Sequence, residues 1–198
     1  MPEDLIKLKG SKLAEKLGLN LAQKTSAVMG SVSGDAVLLL DRSGSMAAGV
    51  GAGELCWRFD GPSRIEELRK LCKQFPGVRK FQYNQAIQEL KPGQEVGEPT
   101  GDNNEPVAFN FLKSLGIHEV VIITDGGFDD SVGTLRAAKG LKISALYVGP
   151  LPCPDALKQL VRQCGGEYAE GSLAELQKMI NTVKSFLLLD APKGPIAL

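Results

Sequence analysis

Apolar and polar positions divide the chain into alternating elements. Residues 36–40, AVLLL, are apolar at every position and run straight into Asp41. VVIIT at 120–124 and ISALYV at 143–148 have the same character. Short runs of this kind predict strands buried on both faces of a parallel sheet, where helices cover each side. A less apolar strand is expected at 78–83, a neighbouring edge strand at 86–90 and a short last strand at 167–169. Helical periodicity lies between them. From Ser63 the chain reads SRIEELRKLCKQF, with Glu66 three residues on in a capping-box arrangement. Further helices are expected at 106–115, with Pro106 suited to the first turn, at 131–139, at 154–164 before the stop of Gly165 and Gly166, and at 172–188.

Alternation of strand and helix predicts a doubly wound α/β fold: a mostly parallel sheet of about six strands flanked by helices, joined by right-handed crossovers. Residues 3–29 place Leu5, Ile6, Leu8, Leu13, Leu17 and Leu21 at loosely helical spacing, broken by Gly10 and Gly18. They read as one or two amphipathic helices packing on the main domain, the sharper alternative being an arm that docks on a partner or an anionic surface. The organisation expected is an N-terminal helical extension (1–34), one domain (35–190) and a C-terminal tail (191–198).

Composition narrows the classes of function. Lys plus Arg and Asp plus Glu number 23 each, so the formal net charge is zero. A general nucleic-acid binder needs a basic excess to displace counterions, and this chain has none. No apolar stretch approaches the length of a membrane span, and no secretory signal is visible at the start. The four cysteines form no zinc-like spacing,. Cys72 and Cys164 read as small buried hydrophobes, with a Cys153–Cys164 bridge left open. These features point to a reduced, cytoplasmic setting.

The candidate chemistry sits at strand ends. Two apolar strands end in aspartate, Asp41 and Asp125, and parallel strands deliver their C-terminal ends to one edge, where ligands bind as strand order reverses. Ser43 and Ser45 follow Asp41 around Gly44, whose freedom lets the turn aim both hydroxyls at one point. Two carboxylates with several hydroxyls make an oxygen-only set suited to a hard divalent cation. Neutral hydroxyl ligands leave such a cation with much of its charge, ready for an anionic oxygen from another molecule.

DRSGS (residues 41–45) resembles the Asp-x-Ser-x-Ser motif of von Willebrand factor A domains, and VVIITDGG (120–127) resembles the family's later strand and aspartate. The resemblance spans roughly residues 35–188. It implies a metal-ion-dependent adhesion site with Asp41, Ser43, Ser45, Thr100 and Asp125 as ligands. Thr100, in GEPTGDNNEP, stands where the family places a threonine before a helix, although Glu98-Pro99 replaces the frequent Gly-Gly. The cation implied is Mg²⁺, with Mn²⁺ or Ca²⁺ also accepted by oxygen ligands. The partner implied is a protein that supplies a Glu or Asp carboxylate, within a larger assembly such as those of MoxR-type AAA+ ATPases.

The chain departs from the family in an insertion at 46–62 beside the expected metal. This insertion carries the only tryptophan, Trp57, with Arg58 and Phe59; they either cover the end of the core or form an interface hot spot. Arg42, at the variable position of the motif, is assigned no role. Asp129 or Asp130 is expected to cap the helix at 131, the alternative being that the pair holds a second cation near the first; Asp102, Asn103 and Asn104 read as turn and cap residues. His118 precedes its strand while Asp125 follows it, on the order of 20 Å apart at the rise of a strand.

Two further functions compete with metal-dependent binding. A haloacid-dehalogenase-type phosphohydrolase also starts from an aspartate after an apolar strand. It needs a second aspartate two residues later as acid/base, and Ser43 stands there. The expectation is therefore a protein that is not an enzyme. A structural assembly component, with contacts through the arm and tail, is the remaining alternative.

Overall fold

The computed structural model describes residues 36–49, 62–73, 75–128, 130–149 and 153–170. The expected extension at 1–34, most of the insertion with Trp57, Asp129, the final helix at 172–188 and the tail lie outside the described residues.

Six strands form one sheet: β1 (Val37–Asp41), β2 (Lys80–Tyr83), β3 (Ile87–Leu90), β4 (Glu119–Thr124), β5 (Lys142–Tyr147) and β6 (Tyr168–Glu170). Their order is β3-β2-β1-β4-β5-β6. Every pairing is parallel except that of the edge strand β3, which runs antiparallel to β2. Strands β1 and β4 lie side by side, with Leu40 opposite Ile123. The chain leaves β1 toward β2 on one side and returns through β4 on the other, so strand order reverses between them.

Period-two alternation sends side chains of β1 to opposite faces. Val37 and Leu39 join Phe81, Val120 and Ile122 on one face; Leu38 and Leu40 join Val121 and Ile123 on the other. Helices α2 (Glu105–Ser114), α3 (Ser131–Ala137) and α4 (Asp155–Gln163) serve the first face, through residues such as Phe109, Ala137 and Leu157. Helix α1 (Arg64–Cys72) brings Ile65, Leu68 and Leu71 to the second. Burial on both sides is why residues 37–40 and 120–123 of the two central strands are all apolar.

Local signals place the helix ends. Ser63 accepts from the Glu66 backbone N–H while Glu66 accepts from that of Ser63, completing the capping box of α1,. Asn104 caps α2 through the N–H of Val107, and Asp130 caps α3 through that of Gly133. One element falls outside the sequence expectation: a 3-10 turn at Gly44–Ala47, which tucks Met46 into the core. Four residues are too few for periodicity to reveal. The insertion is stapled where it begins and ends, by a bridge between Gly49 and Ser63 and a hydrogen bond from Arg64 N–H to the Ala48 carbonyl (2.9 Å). Cys72, Cys153 and Cys164 are free thiols, so the Cys153–Cys164 bridge is not formed.

Candidate metal centre

Asp41 ends β1 and Asp125 follows β4, so the strand reversal delivers both carboxylates to one edge of the sheet,. Asp41 is fully buried. Its Oδ1 accepts the Ser43 N–H (2.8 Å); its Oδ2 accepts from the Thr124 hydroxyl (2.6 Å) and the Asn103 amide (3.3 Å). Each of these donors is neutral. Burial, reinforced by the charge of Asp125, raises the Asp41 pKa to about 6,.

The serines complete the cluster. Ser43 is the N-cap residue of the 3-10 turn, yet its hydroxyl makes no capping bond. It lies 2.9 Å from the Ser45 hydroxyl, which in turn donates to Asp125 Oδ1 at 2.8 Å. Asp41, Ser43 and Asp125 are buried while Ser45 is exposed, so the cluster opens to solvent at Ser45.

Thr100 reaches the same edge through its backbone. Its N–H donates to the Arg42 carbonyl (2.9 Å), and its carbonyl accepts from the Asn84 amide (2.8 Å). The next residue, Gly101, has φ of +69°, and its carbonyl accepts the Gly44 N–H at 2.9 Å. That positive φ suits glycine and pins the Thr100 loop onto the serine turn. The Thr100 residue is exposed beside it. All five sequence-derived candidates therefore gather at one edge, four of them linked side chain to side chain or through the Ser43 N–H.

Four contributors escaped the sequence reading. Arg64, the first residue of α1, is 4% exposed and donates through Nη1 to Asp125 Oδ2 (2.6 Å) and to the Ser45 carbonyl (3.3 Å). Asn103 reaches Asp41 rather than serving only in a turn. Thr124 links Asp41 to the backbone of the Asp125 turn by accepting the Gly126 N–H (3.1 Å). Asn84 holds the 100–104 loop to the end of β2, its own carbonyl accepting the Asn104 N–H (2.9 Å). The Ser63–Glu66 capping box fixed where α1 starts, and thus that Arg64 opens it; nothing in the sequence told which way its side chain turns. Behind the site, burial and nearby Asp41 and Glu105 raise the Tyr83 pKa well above the usual phenol range, and its hydroxyl donates to Glu105 (3.2 Å).

Among the described residues no group of three or more His, Cys, Asp or Glu is placed to hold a metal. The oxygens available are instead two carboxylates and several hydroxyls. They fit a hard divalent cation on two observations. A buried carboxylate, Asp41, is met by neutral donors beside a second carboxylate, and the Asn103 Oδ1 is buried without a hydrogen-bond partner,.

The fold has a solved counterpart. Manganese-loaded TRAP protein from Plasmodium vivax is similar over 75% of this chain and 72% of that chain, with a TM-score of 0.50 and 15% sequence identity. At that identity the likeness is one of fold, and it agrees with the doubly wound α/β architecture expected from the sequence. No family model and no curated protein matches the chain. Among the described residues no helix is long and apolar enough to cross a membrane.

Proposed function

We propose that the chain is a divalent-cation-dependent protein-interaction module. Asp41, Ser43, Ser45, Thr100 and Asp125 would hold the cation, directly or through water, and a Glu or Asp side chain of a protein partner would complete its shell. When bound, the cation supplies a positive centre for that incoming carboxylate. The observation that carries this reading is the Asp41–Ser43–Ser45–Asp125 cluster, with a buried carboxylate whose donors are neutral. The similar fold of a manganese-loaded protein supports a divalent cation; magnesium is the one proposed here, with manganese or calcium suited to the same oxygens. A cytoplasmic assembly of the MoxR-type AAA+ kind is the partner system that the family resemblance implies.

The role proposed is binding, not catalysis. Ser43 stands where a phosphohydrolase of the haloacid-dehalogenase type requires its acid/base aspartate,. His118 precedes β4, at the opposite end of that strand from Asp125.

The test is titration of the purified chain with MnCl₂ and MgCl₂ by calorimetry, alongside affinity capture from the native source. Wild type is compared in magnesium, in EDTA, and as Asp41→Ala in magnesium. Metal affinity is expected to fall by tenfold to a hundredfold or more in Asp41→Ala, since even a carboxylate that holds a metal through an intervening partner is worth about 10–100-fold. A partner retained only by wild type with magnesium supports the proposal. Equal retention in all three overturns it in favour of fixed assembly contacts, and steady phosphatase turnover lost in Asp41→Asn overturns it in favour of an enzyme.

A further inference from the structure

Arg64 is an odd residue for its position. It opens α1, next to the positive end of the helix dipole, where acidic side chains are favoured and where Glu66 and Glu67 follow in the first turn,. It is also buried, and a buried guanidinium persists only when its charge is met,. Asp125 meets it at 2.6 Å, with 5% and 3% of the two side chains exposed. The same Nη1 touches the Ser45 carbonyl, so the guanidinium bridges the two strand ends that build the site. The staple between Gly49 and Ser63 brings α1 to this place.

The charges follow from these contacts. Asp41 and Asp125 contribute two negative charges and Arg64 one positive, with hydroxyls and amides neutral. Among the described residues the cluster alone carries one net negative charge. Holding a divalent cation, it carries one net positive charge, which a partner's single carboxylate cancels. Without Arg64 the loaded site is already neutral, and an arriving carboxylate leaves it negative. Burial of Asp41, Asp125 and Arg64 reduces the screening of these differences by salt,.

We propose that Arg64 is a resident counter-cation that weakens the site's hold on the metal and, in exchange, strengthens the metal-loaded site's hold on an external carboxylate. This inference rests on the metal-dependent reading above and adds to it a residue that sets the site's preference for anions. Partner and metal then bind with mutual support: the carboxylate relieves the repulsion between the guanidinium and the divalent cation, and by linkage each raises the affinity of the other by the same factor. A pair of this design remains poorly loaded alone and fills when the acidic partner arrives.

The experiment measures Mn²⁺ affinity of the full chain by calorimetry and by electron paramagnetic resonance, with and without sodium acetate as the carboxylate probe. It compares wild type, Arg64→Gln, Arg64→Lys and Asp41→Ala. Arg64→Gln is expected to bind Mn²⁺ tenfold or more tightly than wild type and to lose most of the gain that acetate confers. Arg64→Lys, which keeps the charge, is expected to follow wild type. Removal of the counter-cation leaves Asp125 uncompensated, so Arg64→Gln melts lower without metal. Its melting temperature is expected to rise further on Mn²⁺ addition than that of wild type, which keeps the test decisive even for a destabilised variant. Arg64→Gln with wild-type or weaker Mn²⁺ affinity and an unchanged acetate effect overturns the role of Arg64 and leaves the metal site standing. Binding absent from wild type as from Asp41→Ala overturns the metal-dependent reading itself, and this inference with it.

Discussion

Two polar concentrations among the described residues differ in how their charges are met. Between α1 and β3 lies a cleft of about 410 Å³, lined by Arg69, Lys73, Arg79, Lys80 and Lys91 among others. Its cations are largely satisfied: Arg69 pairs with Glu98, Lys73 with Glu95, Arg79 with Glu89, and the Lys80 ammonium donates to the Phe75 and Val78 carbonyls. The cluster at Asp41 is more deeply buried, and its pairing stops halfway: Asp125 has Arg64 while Asp41 has neutral donors. A cavity lined with charge therefore says less about binding than one buried carboxylate whose donors among the described residues are neutral. Exposed pairs are worth little because water competes for both partners; a buried carboxylate has no such alternative.

The largest effect expected from this contrast is on stability against pH in metal-free protein. Burial and Asp125 raise the Asp41 pKa to about 6 from 3.8. The folded state then holds its proton more tightly than the unfolded chain, so Asp41's contribution is most favourable below about pH 4. It is lost as pH rises through 6, by roughly 3 kcal/mol in all. Urea denaturation of chelator-treated protein from pH 4 to pH 7 reads this slope against the background of the other carboxylates. Asp41→Asn is expected to flatten it, whereas Glu89→Gln at the cleft leaves it unchanged. Saturating MgCl₂ at pH 7 is expected to recover the lost stability in wild type alone. An unaltered slope in Asp41→Asn breaks the contrast between the two regions.

A smaller effect belongs to Lys80. Burial lowers its pKa, and its ammonium serves two carbonyls at the end of the turn after α1. Lys80→Met removes that donor but leaves the carbonyls near the surface, where water replaces it in part. The cost expected is about 1 kcal/mol, measured by urea denaturation, with Mn²⁺ affinity unchanged within twofold. A large change in metal affinity would show that the cleft and the cluster act as one site.

How legible these regions were in the sequence follows from their physics. The strands could be read because burial on both faces demands an apolar residue at every position, as at residues 37–40 and 120–123. Asp41, Ser43, Ser45 and Asp125 could be read because they stand at the ends of those strands, and the Ser63 cap could be read from Glu66. Arg64 could not, since an arginine at a helix start looks like any solvated charge until α1 is folded against the sheet. Asn103 looks like a turn residue for the same reason: its contact with Asp41 spans 62 positions in the chain. The antiparallel edge of β3 was legible as a strand, but its direction depends on the short turn at 84–86 that returns the chain beside β2.

The smallest effect is the sharpest comparison, because it asks the same question of an ion pair in each region. Arg79 and Glu89 meet at 2.8 and 3.0 Å in a two-bonded geometry, with side chains 51% and 43% exposed. Arg79 also lies over the Phe81 ring, 5.2 Å from its centre. The geometry is good, yet both heads remain in water, so a double-mutant cycle with Arg79→Gln and Glu89→Gln is expected to give a coupling of about 0.5 kcal/mol, fading in 1 M salt. The corresponding cycle of Arg64→Gln and Asp125→Asn in metal-free protein is expected to give several times more and to resist salt, since removal of either partner strands the other in the interior. Equal couplings would mean that water reaches Arg64 and Asp125 as freely as it reaches the surface pair. The charge imbalance at Asp41 would then be screened like any other, and the reason to place a cation there would go with it.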